Sequence, residues 1–310
     1  LEPTIRDGKL YGLGSTDMKG GLAAMVFAAA ALNSLPRPPE GDLLLIFTAN
    51  EEAPGEFGAN WLVKNHSIQA DFCLVGEPCG TREEFDNLPL CARTTVLFKT
   101  KVYGTQMHSS ISDQFPSVNA SVKMGWVLWR MARDLKLRYE PHPYYPKGPT
   151  INLGDIAHAG LAYGVYPGYA EFGSDIRLIP GMTREGVLRD LEEFLEGLRR
   201  EDPELKVELE VVGKSRPETW KWLQGDEPFV GLVQSACERI LGRRPPSGGF
   251  PAFTDGYWFH SYAGIPAIPA FGPGVLRLAH GPNEYVSTQG IIQASKIYAL
   301  AALEYLAGEE

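Results

Sequence analysis

Cysteine is scarce: four residues in 310, Cys73, Cys79, Cys91 and Cys237, with no CxxC pair and no dense framework. That spacing excludes a disulfide scaffold and a thiolate metal site, and it fits a reduced, cytoplasmic setting. Runs of basic charge are missing too. The formal net charge is -9, and no stretch of lysine or arginine offers a positive face to a polyanion, so no nucleic-acid partner is expected. Long apolar runs are absent as well: the most apolar helical stretch, 22–32, has eleven residues, against roughly 20 needed to cross a bilayer. No membrane partner and no secretory segment are expected, although the chain opens on Leu1-Glu2-Pro3 rather than Met, so its true beginning is expected to lie upstream. There is no HExxH helix, no GxSxG elbow and no P-loop, which removes the motifs of the commonest competing hydrolases and phosphotransferases. The segment GLGSTD imitates a dinucleotide fingerprint, but Asp17 stands in place of the third glycine, where a carboxylate would repel a pyrophosphate.

What the chain does have is acids placed just beyond apolar runs. Residues 43–47, LLLIF, lack the polar alternation of a strand with one wet face and read as an interior parallel strand. Glu51 and Glu52 follow it. The run 71–75 leads to Glu77, the run 265–271 leads through Gly272-Pro273-Gly274 to His280, and the run 10–12 leads to Asp17. In an open α/β sheet ligands bind beyond the carboxyl ends of the strands, so these groups are predicted to share one pocket. Taken singly, each fits a loop charge or a helix cap.

Up to about residue 92 strands and helices alternate, which predicts a doubly wound, mostly parallel α/β sheet. The grammar then changes. Strands at 95–103, 150–157, 169–178 and 206–212, with helices at 116–137 and 184–200, give a βαββαβ series, the ferredoxin-like order. This predicts a domain at 93–212 inserted into a first domain formed by 1–92 and 213–310, where helices at 228–241 and 288–307 resume the earlier pattern.

Carboxylates and an imidazole suit zinc or a similar divalent ion. Several acids converging on one place repel one another unless protons or metal ions neutralise them, so a two-metal centre is the cheaper arrangement. With extended backbone, adjacent Glu51 and Glu52 point apart, leaving one free to act as a base while the other ligates.

At these residues the sequence resembles the di-zinc amidohydrolases and exopeptidases that include acetylornithine deacetylase, succinyl-diaminopimelate desuccinylase, carboxypeptidase G and aminoacylase. The matching pieces are YGLGSTDMKGG, TANEEAPGEFGA, LVGEP, MHSS, DIRLIPG, FGPG and AHGPNEYV, spread over nearly the whole chain. The resemblance implies a zinc-dependent hydrolase of amide bonds next to a free carboxylate, acting on an N-acyl amino acid or small peptide, with Co2+ or Mn2+ as substitutes for zinc. It makes Asp17 the bridging ligand, Glu51 the general base, Glu52 and His280 ligands of one ion, and Glu77 a ligand of the other. His108, in the inserted domain, matches a lid histidine that stabilises the oxyanion in a partner subunit, so the inserted domain is expected to close over the site and to form a homodimer. Arg177 and the loop from Gly272 to Gly274 match the elements that receive the substrate carboxylate, a task that the planar fork of arginine suits.

Two departures stand out. The family carries a His-x-Asp motif upstream, and nothing in residues 1–16 replaces it. The ion served by Glu77 then draws only on Asp17 and Glu77, so the chain is expected to bind one zinc more firmly than a second. A fragment of an active enzyme is the first expectation; a non-catalytic, metal-retaining homologue acting as a binding or regulatory protein is the alternative. In HAGLAYGVYP, Gly164 stands where the family has an asparagine, which removes a side-chain donor to the substrate.

Overall fold

The computed structural model describes residues 2–52, 57–213 and 223–307. The chain is a mixed α/β protein of two compact units, one of Leu1–Ala92 with Trp220–Glu310 and one of Arg93–Thr219.

The first unit opens with a hairpin. Asp7 and Gly8 both have positive φ, 51° and 72°, the twist that a two-residue turn between antiparallel strands requires. The strands Thr4–Arg6 and Lys9–Tyr11 pair across it, and Tyr285–Ser287 adds to the second of them, Tyr11 opposite Tyr285. That small sheet brings two distant loops side by side, because Lys9–Tyr11 runs into the loop bearing Asp17, and the loop bearing His280 runs into Tyr285–Ser287. After a wide turn at Ser15–Lys19 the helix Gly20–Asn33 buries Gly20, Ala24, Ala28 and Leu32, an i, i+4 row of small residues that lets it lie close against the last helix, Thr288–Ala307. The helix Pro228–Leu241 also packs against Thr288–Ala307. Tyr298 of that last helix is buried and donates its hydroxyl to the carbonyl of Phe271 at 2.6 Å.

Parallel pairing is present but short. Ala267–Ile268 pairs with Cys73–Leu74, Gly272–Val275 with Pro78–Gly80, and Ser247–Phe250 with Leu88–Ala92, all parallel. The expected central strand at 43–47 is not among them. Residues 42–48 form no helix or strand, and Leu43, Leu44 and Phe47 are 46%, 56% and 49% exposed. Among the described residues no strand pairs with this stretch. Apolar composition states that a segment gains by burial, but a parallel strand also needs a neighbour to take its N–H and C=O groups, and composition says nothing of where that neighbour is.

The second unit has a four-stranded antiparallel sheet in the order Lys206–Val211, Thr94–Tyr103, Tyr169–Leu178, Thr150–Ala159, and a short antiparallel pair of Met107–His108 with Val165–Tyr166. Along Thr94–Tyr103 every second residue, from Thr94 and Val96 to Phe98, Thr100 and Val102, is buried, so one face is core and the other is wet. Helix Ala120–Asp134 is capped by Asn119, whose side chain accepts from Ser121 and Val122 N–H, and helix Arg184–Glu201 by Thr183, which accepts from Gly186. Leu191, Leu195 and Leu198 bury the inner face of the second helix. The predicted elements of this unit all form, within a few residues of their expected limits at the strands and with a shorter first helix.

Candidate metal centre

Three segments of the first unit bring Asp17, Glu52 and His280 together. Each offers one ligand atom, and those atoms all lie within 4.8 Å of one another. His280 Nε2 is 3.3 Å from Asp17 Oδ2 and 3.1 Å from Glu52 Oε2. His280 has φ 57°, in the left-handed region, and the loop holds it there as the chain turns from Gly272–Val275 toward the last strand.

Glu77 joins this group through Asp17. It is 6% exposed and shares a side-chain hydrogen bond with Asp17. Its position is set by a tight backbone crossing: a Cβ at Gly21 or at Gly272 would each come within 2.1 Å of the Gly76 carbonyl oxygen. Only glycine permits the helix Gly20–Asn33 and the strand Gly272–Val275 to close on Gly76 from two sides, and this wedges Glu77 beside Asp17. Gly274, at φ 104°, lies against Thr16. Gly272 and Gly274 thus have packing reasons of their own.

Glu51 and Glu52 are not on extended backbone, as expected from the sequence. Asn50 has φ 70° and residues 51–52 form a turn. Glu52 meets His280, and the charges of both Glu51 and Glu52 act on Glu77. Thr48 donates to Asp255 Oδ2 at 2.7 Å, which ties the approach to this turn to the helix Gly256–Ala263.

The electrostatics follow from crowding. Burial, then the charges of Asp17 and Glu51, push the Glu77 carboxyl well above the usual carboxylate range. Burial likewise raises Asp17, offset in part by its hydrogen bond with Glu77. Glu52 holds a proton on His280 through their hydrogen bond, raising it above the ordinary imidazole value. Among the described residues no lysine or arginine pairs with Asp17, Glu52 or Glu77. A set of two carboxylates and one imidazole facing a common point, with a third carboxylate beside it and protons as the only neutralising partners, fits a divalent cation such as zinc.

The remaining sequence-predicted residues belong to the second unit. His108 is exposed at the end of Met107–His108, and its Nδ1 accepts from Ser110 N at 3.3 Å. Ser109 N–H donates to the carbonyl of Gly164, whose φ of 84° favours glycine there. Arg177 is one-third exposed and paired to Asp175, its Nη2 2.7 Å from Oδ2. One residue of the centre went unassigned in the sequence. Glu284 lies in AHGPNEYV, four positions after His280, and its carboxylate accepts backbone N–H groups from Gly14, Thr16 and Asp17; the only signal for it is an acid inside a motif that also carries a ligand-type histidine.

Comparison with known proteins extends over nearly all of this chain. It is 29% identical over 315 residues to the acetylornithine deacetylase of Myxococcus xanthus, covering 99% of this chain and 76% of that one. It is 27% identical over 327 residues to the succinyl-diaminopimelate desuccinylase of Thiobacillus denitrificans, covering 100% of this chain and 75% of that one. Among solved structures, a di-peptidase from Saccharomyces cerevisiae shares the fold with a TM-score of 0.75 at 14% identity, over 99% of this chain and 75% of that one. The model of peptidase family M20/M25/M40 matches residues 1–304, and the chain belongs to that family as a metal-dependent amidohydrolase.

Proposed function

We propose that this protein hydrolyses an amide bond next to a free carboxylate in a small substrate, an N-acyl amino acid or a short peptide. The observation that carries the reading is the gathering of Asp17, Glu52 and His280 with Glu77 hydrogen-bonded to Asp17 and, among the described residues, no lysine or arginine paired to neutralise the acids. Two relatives named for deacetylation and desuccinylation, and a structural neighbour named as a dipeptidase, support the substrate class.

Zinc is the proposed ion, with Co2+ or Mn2+ as substitutes. When bound it supplies the Lewis acidity that polarises the scissile carbonyl. In this reading Asp17, Glu52 and His280 would hold one ion, and Asp17 and Glu77 would serve a second. Among the described residues the Glu77 side offers two candidate ligands against three on the other, so the two ions would be held with different affinity. Glu51 takes a proton from the attacking water and returns it to the leaving amine. His108 donates an N–H to the developing oxyanion. Arg177, with the loop from Gly272 to Gly274, receives the substrate carboxylate, exchanging part of its pairing with Asp175 for that of the ligand. The first unit is then the catalytic domain and the second a ferredoxin-like lid through which two copies form a homodimer. Four free cysteines support a cytoplasmic setting.

The test is Glu51→Gln. It should lower kcat/KM on N-acyl amino acids by about 10²–10⁴ while the zinc content stays that of the parent. Unchanged turnover removes Glu51 from this role, and two equally tight zinc ions contradict the ligand count.

A further inference from the structure

Glu284 is 5% exposed, and a carboxylate so far from water needs either a cation or several N–H donors. Among the described residues it has no ion-pair partner. Its oxygens instead accept three backbone N–H groups of one loop: Oε2 takes Gly14 at 2.8 Å, and Oε1 takes Thr16 at 2.9 Å and Asp17 at 3.0 Å. The Glu284 carbonyl accepts from Gly12 N–H at 3.1 Å, and that of Tyr285 from Thr16 Oγ1 at 2.5 Å. The loop gripped in this way ends at Asp17, while Glu284 itself stands four residues after His280. One buried side chain therefore joins the segments that carry two of the three clustered groups.

We infer that Glu284 is a positioning residue: it fixes the Asp17 carboxylate opposite His280 by holding the 12–17 backbone, and touches no ion itself. The inference rests on the metal reading proposed above. The N–H of Asp17 is one of the three that Glu284 holds, so loss of the carboxylate frees the Cα from which the Asp17 side chain hangs. Groups that orient a ligand in this way are worth about 10- to 100-fold in metal affinity. Reach matters as much as charge. Aspartate keeps the charge but is one methylene too short to span the loop, whereas glutamine keeps one oxygen for Thr16 and Asp17 and loses only the bond to Gly14.

Zn2+ titration of the metal-free protein against a chromophoric chelator tests this, with circular dichroism to count folded protein. Glu284→Ala and Glu284→Asp should each weaken Zn2+ binding by about 10-fold or more, and Glu284→Gln by less. A residue that served only to staple the fold would lower the thermal midpoint and leave the affinity of the folded chain unchanged; that result in Glu284→Asp and Glu284→Gln overturns the inference. Parent affinity in Glu284→Asp alongside a loss in Glu284→Gln also overturns it, because charge and not position would then be the cause. If Glu284→Ala fails to fold, the other two variants carry the test. A parent chain that binds no Zn2+ overturns the metal reading and this inference with it, whereas normal binding in the parent and in all variants overturns this inference alone.

Discussion

In the second unit Asp134 faces Arg133 and Arg130, Glu201 faces Arg130, and Glu171 is held by the Tyr169 hydroxyl and Lys99; each loses its proton more readily than an ordinary carboxylate. In the first unit Asp17 and Glu77 face each other and Glu51 and Glu52, and both keep their protons to higher pH. The side chains are of the same kind, and what differs is the company. Acids paired with bases near the surface add little to stability and cost little, whereas acids crowded against other acids repel one another and cost stability unless something neutralises them. The contrast sets the acid cluster of the first unit apart from the paired acids of the second.

The sharpest way to break the contrast is Asp17→Asn. Removing the shared carboxylate should weaken Zn2+ binding by about 100-fold or more and, by relieving repulsion against Glu77, raise the thermal midpoint of the metal-free protein by about 3 °C. Chelator competition and calorimetry read the two effects, and a midpoint that falls instead would show that the cluster is stabilising on its own.

The next largest effect is on pH. Asp17, Glu77 and His280 all have folded values above their unfolded ones. Their contribution to stability is therefore complete below the ordinary carboxylate and imidazole ranges and is lost as pH rises through the raised folded values. Asp134, Glu171 and Glu201 run the other way, contributing above the ordinary carboxylate range and losing it as pH falls. Hydrogen exchange of the metal-free protein from about pH 5 to about pH 8 should show the Asp17 loop losing protection toward the alkaline end, and saturating Zn2+ should abolish that trend. The same slope in both units would remove the distinction.

The smallest effect belongs to the paired surface. Arg130→Ala deletes an arginine bonded to Asp134 and Glu201, yet it should lower the thermal midpoint by about 2 °C or less, a difference that added salt reduces. A larger loss in thermal denaturation would mean that this network supports the second unit more than exposed pairs normally do.

Legibility differed between the two units for a physical reason. In the second, Val96, Phe98, Thr100 and Val102 alternate with wet residues, and each strand's neighbour is another strand of the same compact series, so local pattern and tertiary partner coincide. In the first, 43–47 reads as an interior strand yet lies unpaired among the described residues, and the short strands at Ser247–Phe250 and Leu88–Ala92 carry no alternation that marks them. Family motifs singled out Asp17, Glu52, Glu77 and His280, because the donors a divalent ion prefers are few and their surroundings are distinctive. Glu284 carried no such mark, since a residue that binds backbone N–H groups looks like any other acid in a loop.

The sequence by itself determined the mixed α/β class, the order of elements in the second unit and which acid and imidazole groups could serve an ion, because periodicity and donor chemistry are local properties. Only the tertiary structure decided that Glu77 and Asp17 share a hydrogen bond away from water, that Gly21 and Gly272 must both be glycine to close on Gly76, and that Glu284 grips the Asp17 loop. Those outcomes depend on distances between segments far apart in the chain, and burial, repulsion and hydrogen bonding act through such distances rather than along the backbone.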